Sequence, residues 1–173
     1  MQKIEIAEIK GIKIGHAHDS DSITGCSVMV FEKGAVVGVD VRGGAPGTRE
    51  TDLLKSDKMV EQIHAIMLAG GSAFGLDAAS GAMKYLEENE IGFEVGVAKV
   101  PLVSSAILFD LDIGDSGVRP DVEMGYKACL NASSKQFSRG NVGAGMGATI
   151  GKLAGPEKMM KGGLGTAAFQ VGQ

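Results

Sequence analysis

The sequence AGGSAFGLDAASG at residues 69–81 is the most informative part of this chain. It joins an apolar run, Ile66–Leu68, to an amphipathic segment. Its four glycines, set among alanines and serines, allow backbones to approach closely and leave amide groups free for a ligand. The stretch therefore predicts a tight turn between a strand and a helix, and a candidate wall of a binding site.

The segments on either side of this turn have different hydrophobic patterns, one typical of a helix and the other of a buried strand. After the turn, apolar residues recur at helical spacing at Leu76, Ala79, Met83 and Leu86, which predicts an amphipathic helix. Before it, Ala65–Leu68 predicts a short buried strand.

The N-terminal part of the chain predicts further strands. Alternating isoleucines before residue 15 indicate one or two strands at a sheet edge. Cys26–Phe31 and Ala35–Val41 are rich in β-formers, and Glu32-Lys33-Gly34 between them predicts a hairpin. The second arm leads Arg42 into a glycine-rich loop, after which Leu53–Gln62 predicts a helix.

The C-terminal half alternates extended, acidic and helical patterns. Phe93–Val103 predicts an extended segment, and the acidic residues of 110–115 predict a solvated loop. Pro120 suits the first position of a helix over Asp121–Asn131. Thr166–Gln173 predicts a strand that has only begun, so we expect the chain to be a fragment completed by strands from elsewhere.

Composition limits the class of protein. A length of 173 residues suits one domain, residues 1–173. The net charge of -4 without a basic stripe argues against nucleic acid, and no apolar run is long enough to span a membrane. The two cysteines, Cys26 and Cys129, predict small core residues, and their scarcity with no apolar signal segment predicts a cytoplasmic protein.

Two more glycine-rich stretches, residues 140–149 and 161–166, predict that one composite pocket is formed with the first. Their spacing does not fit a phosphate loop, which would need Gly and Ser or Thr where Met146 and Leu153 stand. A dinucleotide fingerprint fails as well, because its third glycine would fall on Ala148. We therefore expect no nucleotide cofactor.

Other candidate chemistries are incomplete. Ser72 lacks the pattern of a nucleophile elbow, since Phe74 occupies the place of the second glycine. His16 and His18 share a strand face, but together with His64 they form no complete metal-ligand pattern. We expect no metal site.

Lys161 is the strongest catalytic candidate from the residues alone. A lysine set against glycine-rich backbone can be partly desolvated, which lowers the pKa of its amine toward catalytic use. The alternative is a structural lysine that neutralises a nearby acid.

Four segments occur together and in order: VDVRGGAPGTRETDLL at residues 39–54, GGSAFGLDAA at 70–79, GAGMGA at 143–148 and KGGLGT at 161–166. In combination they closely resemble the L-aminopeptidase/D-esterase family, which includes DmpA-type and β-peptidyl aminopeptidases. The resemblance covers essentially the whole chain. It implies an α+β protein, a four-layer αββα sandwich similar to N-terminal-nucleophile hydrolases.

The resemblance also implies a self-processing hydrolase. A precursor would cleave itself before a Ser or Thr, and the freed residue would be the nucleophile of a complementary C-terminal subunit, with its own α-amine as base. Residues 1–173 would be the large-subunit portion, inactive alone. The resemblance implies small peptide or amide substrates, no cofactor, and a homo-oligomer of processed units.

Particular residues match the family's motifs. Lys161 resembles a large-subunit lysine that lies near the nucleophile in related amide hydrolases. Where some members have an aromatic hydroxyl, this chain has Phe109, and Thr166 follows a glycine but too close to the end of the chain to be the freed nucleophile. The candidate substrate-binding residues are Arg42, Gly70, Gly71, Ser72, Phe74, Gly143 and Gly145.

One alternative function stays open from the sequence. The same glycine-rich pocket would suit a noncatalytic protein that binds a small ligand. Neither the substrate preference nor the choice between Ser and Thr as nucleophile follows from these residues.

Overall fold

The fold is organised by a mixed five-stranded sheet in a computed structural model that describes residues 1–172. The strands are β1 Gln2–Ile4, β2 Lys13–Asp19, β3 Thr24–Ala35, β4 Thr48–Arg49, β5 Ile63–Ala69, β6 Phe93–Glu94, β7 Lys99–Val100, β8 Val103–Ile107, β9 Thr149–Ile150, β10 Met160–Lys161 and β11 Ala168–Gln170. The sheet order is β2-β3-β5-β8-β4, with three further two-stranded pairs, β1–β11, β9–β10 and β6–β7. The helices are α1 Ala78–Glu88 and α2 Val122–Leu130.

The central strands β5 and β8 run parallel, in register from Ala65 opposite Val103 to Ala69 opposite Ile107. All other neighbours in this sheet are antiparallel. Because parallel strands end at the same edge, the residues that follow β5 and β8 lie side by side. This pairing places the first glycine turn next to the acidic loop.

Helices α1 and α2 cover one face of the sheet, and small residues allow the close contact between them. A Cβ atom on Gly125 would collide with the carbonyl oxygen of Ala78, and one on Gly81 with that of Val122. The core on this face is apolar and nearly inaccessible. Its members are Ala17, Cys26, Val28, Val30, Ala65, Met67, Ala69, Ala78, Ala79, Ala82, Leu86, Val103, Ala128 and Cys129.

The start of each helix follows from local sequence. A 3-10 helix, Ser72–Asp77, leads into α1, and this confirms the helix predicted after the glycine turn. Asp121 caps α2 by accepting a hydrogen bond from the Met124 amide at 2.8 Å. Pro120 therefore lies before the cap and not at the first helical position, a shift of the predicted boundary.

The opposite face of the sheet is only partly covered. Ile6, Phe137 and the segment 164–167 lie opposite it, and together with the sheet they line a cavity of about 310 Å³. Leu68 of β5 is 41% exposed on this face. The predicted terminal strand exists as β11 and pairs with β1, so it does not lack a partner; Gln173 lies outside the described residues.

Two predicted elements are wrong. Cys26–Phe31 and Glu32-Lys33-Gly34 belong to a single long strand, β3, and Gly34 with its φ of +76° lies where the register against β5 shifts, so it produces an irregularity and not a hairpin turn. Leu53–Gln62 forms no α-helix: a 3-10 turn, Asp52–Leu54, is followed by exposed turns. Met59 in this segment is 94% exposed, so no apolar helix face is buried.

Other predictions agree with the fold. β2 lies at an edge of the sheet, and β5 contains the predicted buried strand. Cys26 and Cys129 are unpaired and buried, and burial raises the pKa of each thiol to about 12. Within residues 1–172, neither helix has the length and apolar character needed to cross a bilayer.

Candidate functional site

A buried carboxylate, Asp110, lies where three segments of the fold meet. It follows β8 and is 2% exposed. One carboxylate oxygen accepts a hydrogen bond from the Gly71 amide at 2.6 Å, and the other accepts one from the Thr24 hydroxyl at 2.9 Å. The prediction of a solvated loop is thus wrong for Asp110, although Asp112 and Asp115 are exposed.

Three glycines form a cradle around this carboxylate: Gly70, Gly71 and Gly147. A Cβ atom on either Gly70 or Gly147 would collide with the same oxygen, Oδ2 of Asp110. Gly71 has a φ of +81°, in the left-handed region that favours glycine. Glycine is therefore required at these positions to make room for a carboxylate of the protein itself, which explains part of the glycine-rich pattern.

The amides of the first glycine turn are already in use. Gly70 donates to the carbonyl of Gly25 at 2.9 Å, Gly71 donates to Asp110, and Ser72 donates to the carbonyl of Leu108 at 3.1 Å. The expectation that this turn offers free amides to a ligand is wrong for these three groups. The turn can still form the wall of a pocket, but these three amides are hydrogen-bonded within the fold.

The second and third glycine stretches together hold the amine of Lys161. We call residues 143–148 the lysine turn. The Lys161 amine donates to the carbonyl oxygens of Gly145 at 2.9 Å, Ala148 at 3.1 Å and Gly162 at 3.1 Å. The pairing of β9 with β10 sets Lys161 opposite Thr149, and a bond of 2.7 Å from the Gly162 amide to the Ala148 carbonyl fastens the two strands to the turn.

The surroundings of Lys161 alter the ionisation of its amine. Burial lowers the pKa of Lys161 from its ordinary value, and the positive charge of Lys152 lowers it further. Its hydrogen-bond partners among residues 1–172 are carbonyl oxygens and not carboxylates. An amine in this setting gives up its proton more readily than an exposed lysine does.

A cavity of about 160 Å³ brings the three glycine stretches together. Ala69 borders it from the first stretch, Gly145 from the second and Gly163 from the third. The second and third stretches pack backbone against backbone: Gly140 and Leu164 exchange two hydrogen bonds of 2.8 Å. A Cβ atom on Gly145 would collide with both of these residues. The rest of the lining is mainly apolar, with Leu68, Ala106, Ile107, Leu108, Ala144, Ala148 and Leu164.

Two histidines of β2 and a serine of β3 form hydrogen bonds that support the lysine turn. Nδ1 of His16 lies 2.9 Å from the Ser27 hydroxyl, and that hydroxyl accepts a bond of 3.0 Å from the Ala144 amide. Nδ1 of His18 accepts a longer bond of 3.4 Å from the Gly143 amide. Burial lowers the pKa of His16, and the neighbouring His18 adds to this effect. His18 therefore contacts the lysine turn directly, whereas His16 is linked to it through Ser27.

The remaining candidate pocket residues, Ser72, Phe74 and Arg42, have different surroundings. Ser72 has a φ of +55° at the start of the 3-10 helix. Phe74 is 59% exposed, with the Arg119 guanidinium 4.0 Å from the centre of its ring. Arg42 lies in an exposed loop and pairs with Asp40 at 2.5 Å, so none of its described contacts joins it to the glycine turns.

Two other residues raised by the sequence also have defined surroundings. Thr166 accepts a hydrogen bond of 2.8 Å from Arg139 through its hydroxyl, which is therefore engaged in the fold. Phe109 is 47% exposed immediately before Asp110.

Sequence reasoning missed Asp110, Thr24 and Ser27. The signal that could have revealed Asp110 is its place directly after a strand parallel to the one that precedes the first glycine turn. Thr24 and Ser27 carried no comparable signal, because a hydroxyl in a β-rich run is ordinary.

The comparisons with known proteins identify the family. The sequence profile described as "Peptidase family S58" matches residues 5–173. An uncharacterized aminopeptidase of Mycobacterium leprae is 43% identical over an alignment 181 positions long, which covers 96% of this chain and 48% of that protein. A 6-aminohexanoate-oligomer endohydrolase of a Kocuria species is 36% identical over 84% of this chain and 39% of its own length.

Solved structures agree in fold. The L-aminopeptidase D-Ala-esterase/amidase from Ochrobactrum anthropi, described as a variant of the Ntn hydrolase fold, aligns with a TM-score of 0.66 at 15% identity, over 82% of this chain and 43% of that one. A Burkholderia β-aminopeptidase aligns with a TM-score of 0.64 at 16% identity, over 82% of this chain and 42% of that one. The family profile and the sequence relatives confirm the resemblance drawn from the four motifs, whereas the solved structures show the shared fold alone. The chain spans about half the length of the curated relatives it matches.

Proposed function

The chain belongs to peptidase family S58, and we propose that it is the large-subunit portion of a self-processing aminopeptidase or amidase. The enzyme would hydrolyse small peptides or amides. Its Ser or Thr nucleophile would lie on a complementary C-terminal subunit, released when the precursor cleaves itself. Names of the relatives, an aminopeptidase and an oligomer endohydrolase, support a peptidase or amidase reaction.

The observation that carries this proposal is the setting of Lys161. Its amine is held by three carbonyl oxygens beside the cavity where the glycine stretches meet, and its pKa is lowered by burial. A lysine placed only for charge balance would have a carboxylate among its partners, and the described contacts supply none. Proton transfer is the role that fits this arrangement.

The proposed reaction has two acyl-transfer steps. The hydroxyl oxygen attacks the amide carbonyl carbon, and its proton passes to the α-amine of the same residue. The C–N bond then breaks as the leaving amine gains a proton, a transfer that Lys161 assists. Water then attacks the carbonyl carbon of the resulting ester, the bond from that carbon to the enzyme oxygen breaks, the product leaves as a carboxylic acid, and the enzyme oxygen regains its proton. Backbone amides or an asparagine stabilise the oxyanion in both steps.

The open face of the sheet supports the proposed completion of the fold. Leu68 is 41% exposed there, and Ile66 and Met29 beside it are partly accessible. A second sheet from the complementary subunit would cover these side chains and form the four-layer αββα sandwich. We propose that processed units then assemble into a homo-oligomer in the cytoplasm, and that the chain alone is inactive.

Replacement of Lys161 in the full-length protein tests the catalytic assignment. Lys161→Ala should slow hydrolysis of an aminoacyl p-nitroanilide by about 10²-fold or more, because proton transfer is lost. Lys161→Arg should slow hydrolysis to a similar extent, because a guanidinium keeps its proton. Lys158→Ala, at an exposed lysine nearby, is the matched control and should behave as wild type.

Self-cleavage is followed on denaturing gels and folding by circular dichroism in the same samples. Normal cleavage and normal turnover in a folded Lys161→Ala protein would contradict the catalytic role. An uncleaved wild-type protein that binds small amides without hydrolysing them would support the noncatalytic ligand-binding alternative.

A further inference from the structure

Asp110 is connected to Lys161 through two consecutive residues of the lysine turn, Gly147 and Ala148. A Cβ atom on Gly147 would collide with Oδ2 of Asp110 and would lie 2.6 Å from the Asp110 Cβ. Gly147 is buried, and it precedes Ala148, whose carbonyl accepts a hydrogen bond from the Lys161 amine. The Asp110 side chain therefore fills the space against the backbone that carries this acceptor.

The other side of Asp110 is fixed by rigid parts of the fold. Its carboxylate is bound by the Gly71 amide at 2.6 Å and by the Thr24 hydroxyl at 2.9 Å. Gly71 begins the helical run that continues into α1, and Thr24 begins β3. Asp110 thus links the sheet and the helix layer to the lysine turn.

We propose that Asp110 is a positioning residue for Lys161, because its carboxylate, anchored on Gly71 and Thr24, holds Gly147 and with it the carbonyls that bind the lysine amine. The consequence for catalysis rests on the proposed function, whereas the positioning itself does not. Asp110 touches neither the Lys161 amine nor the 160 Å³ cavity among the described contacts, so it acts through the backbone.

A purely structural Asp110 makes a different prediction. Its loss would lower the stability of the whole protein, yet the Lys161 amine of the molecules that remain folded would titrate as before. A positioning Asp110 requires the titration of Lys161 to change in folded protein. The two roles are therefore separated by a measurement on the amine itself.

The experiment is competitive acetylation of the full-length protein over a range of pH, with the modified lysines quantified by mass spectrometry. Asp110→Ala should release the lysine turn, and the proton affinity of Lys161 should change by about threefold or more toward that of an ordinary lysine. Gly147→Ala should do the same from the other side of the contact. Lys158 is the internal reference within each sample.

Two further variants sharpen the result. Asp110→Asn keeps the shape and the acceptor for Gly71, so it should restore the titration of Lys161 close to wild type. Asp112→Ala, at an exposed carboxylate of the same loop, should have no effect. Turnover measured in parallel should show a lower kcat with KM little changed, because Asp110 lies outside the pocket.

Wild-type titration of Lys161 in folded Asp110→Ala and Gly147→Ala proteins would overturn the proposal. If both variants fail to fold, Thr24→Val, which removes one hydrogen bond to Asp110, decides by the same measurement. A changed titration together with normal turnover in Lys161→Ala would contradict the proposed function but leave the positioning intact. An inactive Lys161→Ala with wild-type titration of Lys161 in Asp110→Ala and Gly147→Ala would support the proposed function but contradict the positioning role.

Discussion

The two faces of the central sheet are built on different principles. The helix-covered face is close-packed with small apolar residues, and Ala69, Ala78 and Ala82 are each at most 1% exposed. The opposite face carries His16, His64 and the partly exposed Leu68, and it borders the cavities near the lysine turn. The first face is a close-packed platform, and the second carries the polar side chains and cavities on which the proposed site depends.

The largest expected effect comes from a substitution that disrupts packing on the helix-covered face. Gly125→Val should destabilise the protein by about 3 kcal/mol or more, because the added side chain must displace the backbone of α1 at Ala78. Urea unfolding of the full-length protein measures this cost. Gly38→Val is the matched control, since its Cβ would meet open space, and a similar loss there would contradict the packing argument.

The opposite face should respond to pH where the packed face does not. Burial lowers the pKa of His64, and Nδ1 of its ring accepts a hydrogen bond of 3.2 Å from the Leu102 amide. The unfolded chain takes up a proton near pH 6.5, whereas the folded chain does so at lower pH. Stability should therefore fall as pH drops below about 6.5, by at most about 1.4 kcal/mol per pH unit for this group.

The pH effect is measured by urea unfolding between pH 7 and pH 5. His64→Asn removes the titrating ring and should flatten the curve, while His18→Asn, at an exposed position, should change it less. An unchanged slope in His64→Asn would assign the pH dependence to another group, with His16 next to be tested because burial lowers its pKa as well.

Elements with a strong local pattern were predictable. The periodicity of Leu76, Ala79 and Leu86 predicted α1, because one helix face had to be buried. The hairpin after Phe31 was wrong because Gly34 can make an irregularity within a strand as readily as a turn, and only the pairing with β5 decides between them.

The site was less predictable, since it depends on which strands are neighbours. The motifs indicated Lys161 and the glycine stretches, but the carboxylate at their junction came from a loop whose composition suggested solvent. Asp110 is buried because β8 runs parallel to β5 and delivers it to Gly71, a relation that no local pattern contains. The same limit applies to the amides of the first glycine turn. Their acceptors, such as the carbonyls of Gly25 and Leu108, come from segments that no local pattern identifies as neighbours.

The smallest expected effect concerns Ser72, at the turn where the sheet meets the helix layer. Its φ of +55° is unusual for a residue with a side chain, while the amide is held by the Leu108 carbonyl at 3.1 Å. Ser72→Gly should therefore raise the free energy of unfolding by about 0.5–1 kcal/mol, because glycine adopts this conformation without strain. Urea unfolding of the full-length protein measures the gain, and turnover is assayed in parallel. Ser80→Gly, within α1, is the opposite control and should lose about 1 kcal/mol, because glycine is a poorer helix former and the hydrogen bond of 2.8 Å from Arg49 to the Ser80 hydroxyl is lost. A stabilised Ser72→Gly with reduced turnover would indicate that the hydroxyl is used in the pocket. No gain in stability would show that the serine side chain already compensates for its backbone strain.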